Sequence, residues 1–216
     1  RKTQLEIIAR EIHPDYLSLG NEPSTEMMLT GLQFDLDQYM SFLQDTLATM
    51  ERPPGMKVGV GTGVWEDPAW VARFEQELPI DFINLHTYPV SNGAVNYFQR
   101  LIDETRDARA VGKDVVVGES WLYKLSVDEL RGGAGFATVF NRDYYSFWAP
   151  LDARYIDKLG ALAKNEGIAY ISFFWSRYLF AYLEYSPEIA ALPGQQQSRM
   201  ANQAAAAAMR DGVNSP

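Results

Sequence analysis

The sequence predicts an α/β protein built around a parallel sheet, because short apolar segments alternate with amphipathic helical segments along the chain. Several of the apolar segments lack polar alternation, which is typical of parallel strands covered on both faces. The predicted strands are Tyr16–Gly20, Lys57–Gly61, Asp81–Leu85, Asp114–Gly118 and Ile168–Phe174. The predicted helices are Gln4–Ile12, Asp35–Met50, Pro68–Leu78, Val95–Val111, Asp152–Asn165 and Gln195–Arg210.

Local signals support these elements in chain order. The first helix has an amphipathic pattern, and the first strand ends at Gly20. The glycines of residues 59–63 fit a strand end that backbone or ligand approaches closely, because a dinucleotide loop would place its third glycine further along the chain. Asp67 and Pro68 form a favourable helix start, with Asp67 as the N-cap and Pro68 in the first turn. The last helix runs through the alanine-rich residues 204–208.

Two connections are much longer than the few residues usual between strands and helices. Residues 121–151 and 176–193 both follow predicted strands, and both are rich in aromatic side chains. In α/β barrels such loops lie at the carboxyl edge of the sheet, which is where these proteins carry their sites. No linker, second domain or long low-complexity tract interrupts the pattern, so residues 1–216 are expected to form a single domain.

The composition argues against several classes of function. The 216 residues are 47% hydrophobic and 22% charged, and their net charge of −9 has no compensating Lys/Arg cluster. This balance argues against a nucleic-acid or anionic-membrane partner and is compatible with a neutral sugar. No apolar run is long enough to span a bilayer. The sequence has no cysteine and no signal peptide at Arg1, and it leaves the compartment open, secretion included.

The most informative feature is a pair of glutamates at the ends of two predicted strands. Glu22 follows the first strand in Asn21-Glu22-Pro23, and Glu119 follows the fourth strand in Glu119-Ser120-Trp121. A carboxylate placed after a buried strand is unfavourable unless it is hydrogen-bonded, paired or used. Two carboxyl groups that converge on one bond can cleave a glycosidic linkage, one as proton donor and the other as nucleophile or base.

Other residues at the strand ends are suited to a sugar. Asn21 can hold a sugar hydroxyl without titrating, and the phenol of Tyr88 can orient a carboxylate. Trp121 and Trp175 offer flat apolar faces to the C–H side of a pyranose ring. His86 is expected to donate a hydrogen bond in the site. Burial against aromatic groups is expected to raise the pKa of the carboxyl group that protonates the leaving oxygen.

These motifs resemble those of the clan A glycoside hydrolases, which are retaining (β/α)8-barrel glycosidases. In that clan an Asn-Glu pair ends barrel strand four, as Asn21 and Glu22 end a strand here, and the Glu is the acid/base. A second Glu ends strand seven as the nucleophile, and Glu119 matches it. The His-x-Tyr of strand six is similar to His86 and Tyr88.

The resemblance implies a partial TIM barrel. A tryptophan at strand eight matches Trp175, and residues 57–61 fall in the place of strand five, so the five predicted strands would be strands four to eight. The first three strand–helix units are then expected upstream of Arg1. The piece alone is expected to fold poorly, because five of eight strands leave two open edges. The implied activity is retaining hydrolysis of a β-linked saccharide or glycoside without a cofactor, with Glu22 as acid/base and Glu119 as nucleophile.

Each motif also has a simpler interpretation. Asn-Glu-Pro recurs by chance and is also typical of a helix start or turn. Glu119 could begin a solvated loop, and the histidine and the tryptophans could be ordinary packing residues. A metal site is not expected, because the only other histidine, His13, precedes the first strand, away from the carboxyl edge. The two acids taken together with His-x-Tyr and Trp favour the glycosidase.

Two other classes of function stay open at this level. A non-catalytic carbohydrate-binding pseudo-enzyme would keep the aromatic groove without turnover, and the two intact acids argue against it. A lyase or aldolase on a barrel would need a strand-end lysine or a metal cluster, whereas Lys57 begins a strand and Lys124 lies in a loop. The sugar, the linkage and the choice between chain ends and interiors depend on the loops and are not predicted.

Overall fold

The computed structural model describes residues 1–89, 96–126, 128–129, 132 and 141–214. Within this range the protein is α/β, and its five strands form a parallel sheet that curls as a half-barrel. The strands pair in chain order. They are β1 (Tyr16–Ser18), β2 (Lys57–Gly63), β3 (Phe82–Thr87), β4 (Asp114–Ser120) and β5 (Ile171–Phe173). The predicted α/β class and parallel sheet are therefore confirmed.

Helices alternate with the strands along the chain. The described α-helices are α1 (Lys2–Ile12), α2 (Pro23–Thr30), α3 (Leu36–Thr49), α4 (Pro68–Glu77), α5 (Tyr97–Ala110), α6 (Ala149–Glu166), α7 (Pro187–Ala190) and α8 (Gly194–Asp211). Short 3-10 helices form at Ser146–Trp148 and Ser176–Leu179. Among the helices that the structure describes, none combines the length and the apolar character needed to cross a membrane.

The predicted elements differ from the structure mainly at their ends. β2, β3 and β4 each extend two residues past the predicted carboxyl end, while β1 and β5 are shorter than predicted. Pairing continues beyond the short strands, because the Leu19 N–H donates to the Gly59 carbonyl and the Ala169 N–H donates to the Val115 carbonyl. The helix predicted from residue 95 begins at Tyr97, and residue 95 itself lies outside the described residues.

Two helix starts show how proline marks an N-terminus here. At α4 the Asp67 side chain accepts a hydrogen bond from the Ala69 N–H, and Pro68 occupies the first turn, as predicted. The helix α2 was not among the predicted elements, but a helix start was the simpler interpretation of Asn-Glu-Pro, and α2 begins there with Pro23 in its first turn. A proline fits this position because the first helical N–H has no intrahelical acceptor.

The chain divides into two compact units. The first comprises residues 1–87, 97–120 and 163–172. Its core consists of apolar side chains from the central strands, packed against Phe74 of α4 and Leu101 of α5. The fully buried apolar residues of these strands are Val58, Val60, Ile83, Leu85, Val116 and Val117. Burial of each such side chain stabilises the fold by about 1.5–3 kcal/mol, which makes this sheet a firm platform for the groups at its edge.

The second unit comprises residues 88–96, 121–162 and 173–216, less those that the structure does not describe. Its core is aromatic. Trp121 and Tyr178 are buried, and their ring centroids lie 5.6 Å apart. The Tyr145 hydroxyl is 3.1 Å from Oε1 of Gln197, a buried side chain of α8. The long aromatic connections seen in the sequence therefore form packed structure in their described parts.

A group of buried charges lies inside this second unit. Lys124 Nζ is 2.5 Å from Asp152 Oδ1 and 3.3 Å from Asp143 Oδ1. It also lies 4.9 Å from the centroid of the Trp121 ring. The Tyr182 hydroxyl donates to Asp152 Oδ2 at 2.9 Å. Burial raises the pKa of Asp143 to about 7, although the nearby Lys124 ammonium acts in the opposite direction.

Candidate active site

The end of β1 places Asn21 and Glu22 at the carboxyl edge of the sheet. Asn21 Oδ1 accepts hydrogen bonds from Ser18 Oγ at 2.7 Å and from Asn84 Nδ2 at 3.1 Å. Both bonds use the amide oxygen rather than the Nδ2 donors. Ser18 and Asn84 thus fix the orientation of the Asn21 amide through its Oδ1 atom.

Glu22 adopts an unusual backbone conformation. Its φ of 46° and ψ of 71° lie in the left-handed region, which few residues other than glycine occupy. Such residues persist only when the surrounding structure holds them, and they cluster at functional sites. Glu22 is the N-cap of α2, and its carbonyl accepts the first intrahelical hydrogen bond from the Glu26 N–H at 2.9 Å. In this conformation the Glu22 side chain reaches His86.

His86 on β3 joins the two predicted acids. Its Nδ1 lies 2.6 Å from Glu22 Oε1 and 3.7 Å from Glu119 Oε2. The His86 side chain is 2% exposed, whereas the side chains of Glu22 and Glu119 are 14% and 36% exposed. The imidazole between the two acids is therefore buried, whereas both carboxyl groups are partly exposed to solvent.

A bulge in β4 brings Glu119 opposite His86. Leu85 pairs with Val117, but the next residue, His86, pairs with Glu119, so Gly118 is the extra residue of the bulge. Bulges beside active sites commonly re-aim a side chain in this way. One oxygen of Glu22, one nitrogen of His86 and one oxygen of Glu119 then lie within 4.8 Å of one another. The structure thus brings the two predicted acids and His86 together.

Asn84 also belongs to this group, although it was not among the predicted site residues. Its Nδ2 lies 3.1 Å from Asn21 Oδ1 and 3.4 Å from His86 Nε2. With the Asn84 amide oriented in this way, its nitrogen donates to His86 Nε2, and the matching imidazole tautomer is the one that donates from Nδ1 to Glu22. The available signal was the polar Asn84 within the apolar strand residues 82–85, two residues before His86 and hence on the same face.

Glycines on the two flanking strands leave room for these amides. A Cβ added at Gly61 would overlap Asn21 Oδ1, and a Cβ added at Gly118 would overlap the Asn84 side chain. Gly61 lies directly opposite Asn84 in the pairing of β2 with β3. Glycine within a strand often marks such a close approach. The space in which the Asn21–Asn84–His86 chain lies therefore depends on both glycines.

The protonation of Glu22 reflects opposing influences. Burial raises the pKa of the carboxyl group, but the hydrogen bonds from His86 and Thr25 lower it by more, and the net pKa lies below its ordinary value. The expectation of a burial-raised pKa at the proton donor therefore does not describe Glu22 in this structure. The reason is the His86 imidazole, which stabilises the ionised carboxylate through the 2.6 Å contact.

The three predicted aromatic residues belong to the second unit. Tyr88 stacks on Tyr123 with ring centroids 4.8 Å apart. Trp121 is fully buried, so in this structure its indole packs in the core rather than presenting a face to solvent. Trp175 is half-buried, and the Arg177 guanidinium lies 4.3 Å from its ring centroid.

The three groups around His86 could also be considered as metal ligands. Within the described residues, Glu22, His86 and Glu119 form the one such cluster of close ligand atoms. The 2.6 Å contact between His86 Nδ1 and Glu22 Oε1 is a hydrogen-bond distance. Two ligands of one tetrahedral zinc ion, each about 2.0–2.1 Å from the metal, would lie further apart. The arrangement fits a hydrogen-bonded pair of His86 and Glu22, with Glu119 nearby, better than a metal centre.

Comparison with known proteins leaves the family open. The sequence matches no family model, and it matches none of the curated proteins searched.

Proposed function

We propose that the protein is a retaining glycoside hydrolase that cleaves a β-glycosidic bond, with Glu22 as acid/base and Glu119 as nucleophile. The observation that carries the proposal is the convergence of these two carboxyl groups, which offer oxygens within 4.8 Å of each other beside His86. Retaining enzymes hold their two carboxyl groups about 5–5.5 Å apart, whereas inverting enzymes leave roughly 6.5–9.5 Å for a water molecule. Oxygens this close to each other are compatible with the retaining geometry.

The reaction proceeds in two displacements. In the first, a carboxylate oxygen of Glu119 attacks the anomeric carbon, the bond to the leaving oxygen breaks, and that oxygen takes a proton from Glu22. In the second, ionised Glu22 takes a proton from water, the water oxygen attacks the anomeric carbon, and the Glu119 carboxylate leaves. Asn21 holds a sugar hydroxyl through its Nδ2 donors, and His86 moderates the charge on Glu22.

The fold and the substrate belong to the same proposal. The five parallel strands correspond to strands four to eight of a TIM (β/α)8 barrel, whose sites lie at the carboxyl ends of the strands. Glu22 and Glu119 both lie at such strand ends. The net charge of −9 favours a neutral saccharide over a polyanion or nucleic acid. That Tyr88 and Trp175 contact the sugar stays a prediction from the sequence.

One observation favours a second candidate, a carbohydrate-binding protein without turnover. The pKa of Glu22 lies below its ordinary value. A carboxyl group that is ionised at neutral pH cannot protonate a leaving oxygen, so only the small protonated fraction of Glu22 supports the first step at that pH. A binding protein would need no proton on this group.

Azide rescue of two variants tests the proposal in the intact protein. Glu119→Gly and Glu22→Ala should each lose hydrolysis of β-linked aryl glycosides by several orders of magnitude. Azide should restore turnover in both, and the products should differ: the α-glycosyl azide from Glu119→Gly and the β-glycosyl azide from Glu22→Ala. Glu77→Gln, an exposed substitution on α4, is the control and should retain full activity.

The result that overturns the glycosidase is equally definite. Full activity in Glu119→Gly would remove the nucleophile from the proposal. Saccharide binding by the wild-type protein without any hydrolysis between pH 4 and pH 8 would establish the binding protein instead.

A further inference from the structure

The N-cap residue of α2 does not make the side-chain hydrogen bond that usually caps a helix. An N-cap side chain usually accepts a hydrogen bond from the N–H of the second or third helical residue. Glu22 occupies the N-cap of α2 without making this bond, because its carboxylate is directed to His86. The next residue, Pro23, has no N–H. The Ser24 N–H is therefore the first backbone donor that needs an acceptor from outside the helix.

A carboxylate distant in sequence supplies this acceptor. Glu66 Oε1 accepts from the Ser24 N–H at 3.0 Å and from the Ser24 hydroxyl at 2.7 Å. Glu66 is 8% exposed, so its carboxylate is largely shielded from solvent where it binds Ser24. A negative charge at a helix N-terminus is also favoured by the helix dipole. Glu66 thus takes over the capping role that Glu22 leaves open.

The segment after β2 holds Glu66 in place from both sides. The Glu66 N–H donates to the Gly63 carbonyl at 2.9 Å, and the Glu66 carbonyl accepts from Arg100 Nη2 at 2.7 Å. Arg100 is itself fixed to Glu104 at 3.0 Å. The backbone hydrogen bonds on both sides of Glu66 therefore fix the position from which its carboxylate contacts α2.

We propose that Glu66 is a positioning residue, which caps α2 and thereby holds Glu22 in its left-handed conformation against His86. The unfavourable backbone of Glu22 requires restraint on the residues that follow it, and the Glu66–Ser24 bonds begin only two residues further along the chain. Glu66 does not touch the reacting atoms. Its contribution to catalysis rests on the proposed function, but its contribution to the geometry does not.

Two variants of Glu66 separate the geometry from general stability. Glu66→Gln keeps an oxygen that can accept both Ser24 bonds, whereas Glu66→Ala removes it. The first readout, in the intact protein, is the imidazole NMR signal of His86. The chain has only two histidines, and His13 is exposed, so the signals are easily distinguished. We expect Glu66→Ala to shift the His86 ring signals while Glu66→Gln leaves them unchanged.

The second readout is the rate of glycoside hydrolysis. Misplacement of a catalytic group by about 1 Å can lower the rate by about 100-fold, so Glu66→Ala should lower kcat by about that factor with little change in KM. Glu66→Gln should restore most of kcat. Glu77→Ala is the matched control, because Glu77 is an exposed glutamate of α4 that should affect neither readout.

The outcomes distinguish the two proposals. A shift of the His86 signals in Glu66→Ala without glycosidase activity in the wild type would retain the positioning role and reject the enzyme. Activity in the wild type with unchanged His86 signals and kcat in Glu66→Ala would reject the positioning role alone. If Glu66→Ala fails to fold, Ser24→Ala removes only the hydroxyl bond and should cause a smaller change in the same direction. Unchanged signals and kcat in Ser24→Ala would then reject the proposal.

Discussion

At the scale of single residues, the charge on Glu22 is set by competition between its burial and its neighbours. Burial favours the neutral carboxyl group, and the hydrogen bonds from His86 and Thr25 favour the carboxylate strongly enough to lower the pKa overall. The lowered pKa adds stability that is present above the unfolded-state pKa and is lost as the pH falls through the folded-state value. A proton donor with this pKa works best on the acidic side of neutrality.

His86→Ala is therefore predicted to move the pH profile of activity. The hydrogen bond from His86 is the largest effect that lowers the pKa of Glu22, so burial should raise this pKa once the imidazole is removed. The basic limb of kcat/KM reports the pKa of the group that donates the proton, and it should shift to higher pH even if the absolute rate falls. His13→Ala, at an exposed position, is the control and should leave the profile in place. A basic limb at the wild-type pH in His86→Ala would contradict this assignment.

At the scale of elements, the contact between α4 and α5 contains a buried acid. Glu75 is 7% exposed, and burial, with the charges of Asp107 and Glu104, raises its pKa to about 7. An acid whose folded-state pKa is raised makes the protein less stable as the pH rises from the unfolded-state value of about 4.5 to about 7. Above pH 7 the whole of this penalty is present.

Glu75→Gln is predicted to stabilise the protein at pH 8 and to leave its stability nearly unchanged at pH 4.5. The gain at pH 8 has an upper limit of roughly 3 kcal/mol, because each unit of pKa shift corresponds to about 1.4 kcal/mol. Urea unfolding of both proteins at the two pH values measures it. Glu77→Gln on the same helix removes an exposed ion pair with Arg73 and should change stability by well under 1 kcal/mol. An equal effect of Glu75→Gln at both pH values would refute the titration.

Most elements could be anticipated from the sequence, and the exceptions have physical causes. The Val115–Val117 run and the Asp67-Pro68 helix start are local signals, and the structure has β4 and α4 at those places. The helix α2 was not among the predicted elements because its N-cap, Glu22, has no side-chain cap bond, and the carboxylate that caps it, Glu66, lies 42 residues beyond Ser24. The sequence around residue 22 does not indicate that Glu66 contacts this helix start.

The same distinction applies to the candidate site. Parallel strands end at one edge, so Glu22, His86 and Glu119 could be expected to approach one another. The bulge at Gly118, which places Glu119 opposite His86, depends on pairing between β3 and β4. The burial of Trp121 likewise depends on the rings that surround it, and a tryptophan after a strand is equally suited to a pocket or to a core.

At the scale of the whole molecule, the buried charges around Lys124 should govern stability. Lys124→Met would leave Asp143 and Asp152 buried without their cation, and removal of one partner from a buried ion pair destabilises proteins by about 3–5 kcal/mol. Because residues 1–216 are expected to belong to a single domain, calorimetry of the intact protein should show that they unfold in one transition, which moves as a whole to lower temperature.

The double variant Lys124→Met/Asp152→Asn provides the matched comparison. It removes one of the two uncompensated carboxylates, so it should recover part of the stability that Lys124→Met loses. Two separate calorimetric transitions, with only one of them shifted, would contradict the single-domain prediction. No loss of stability in Lys124→Met would contradict the role of the ion pair.

The pairing of the strands in chain order has a consequence for how the protein is made. Each strand finds its partner in the strand synthesised just before it, so the sheet can grow by addition while the ribosome is still translating. Glu22 leaves the ribosome long before His86, and His86 before Glu119. The contact of Glu22 with His86 can therefore form only after β3 has been translated, and the two carboxyl groups can meet only after β4 has been translated.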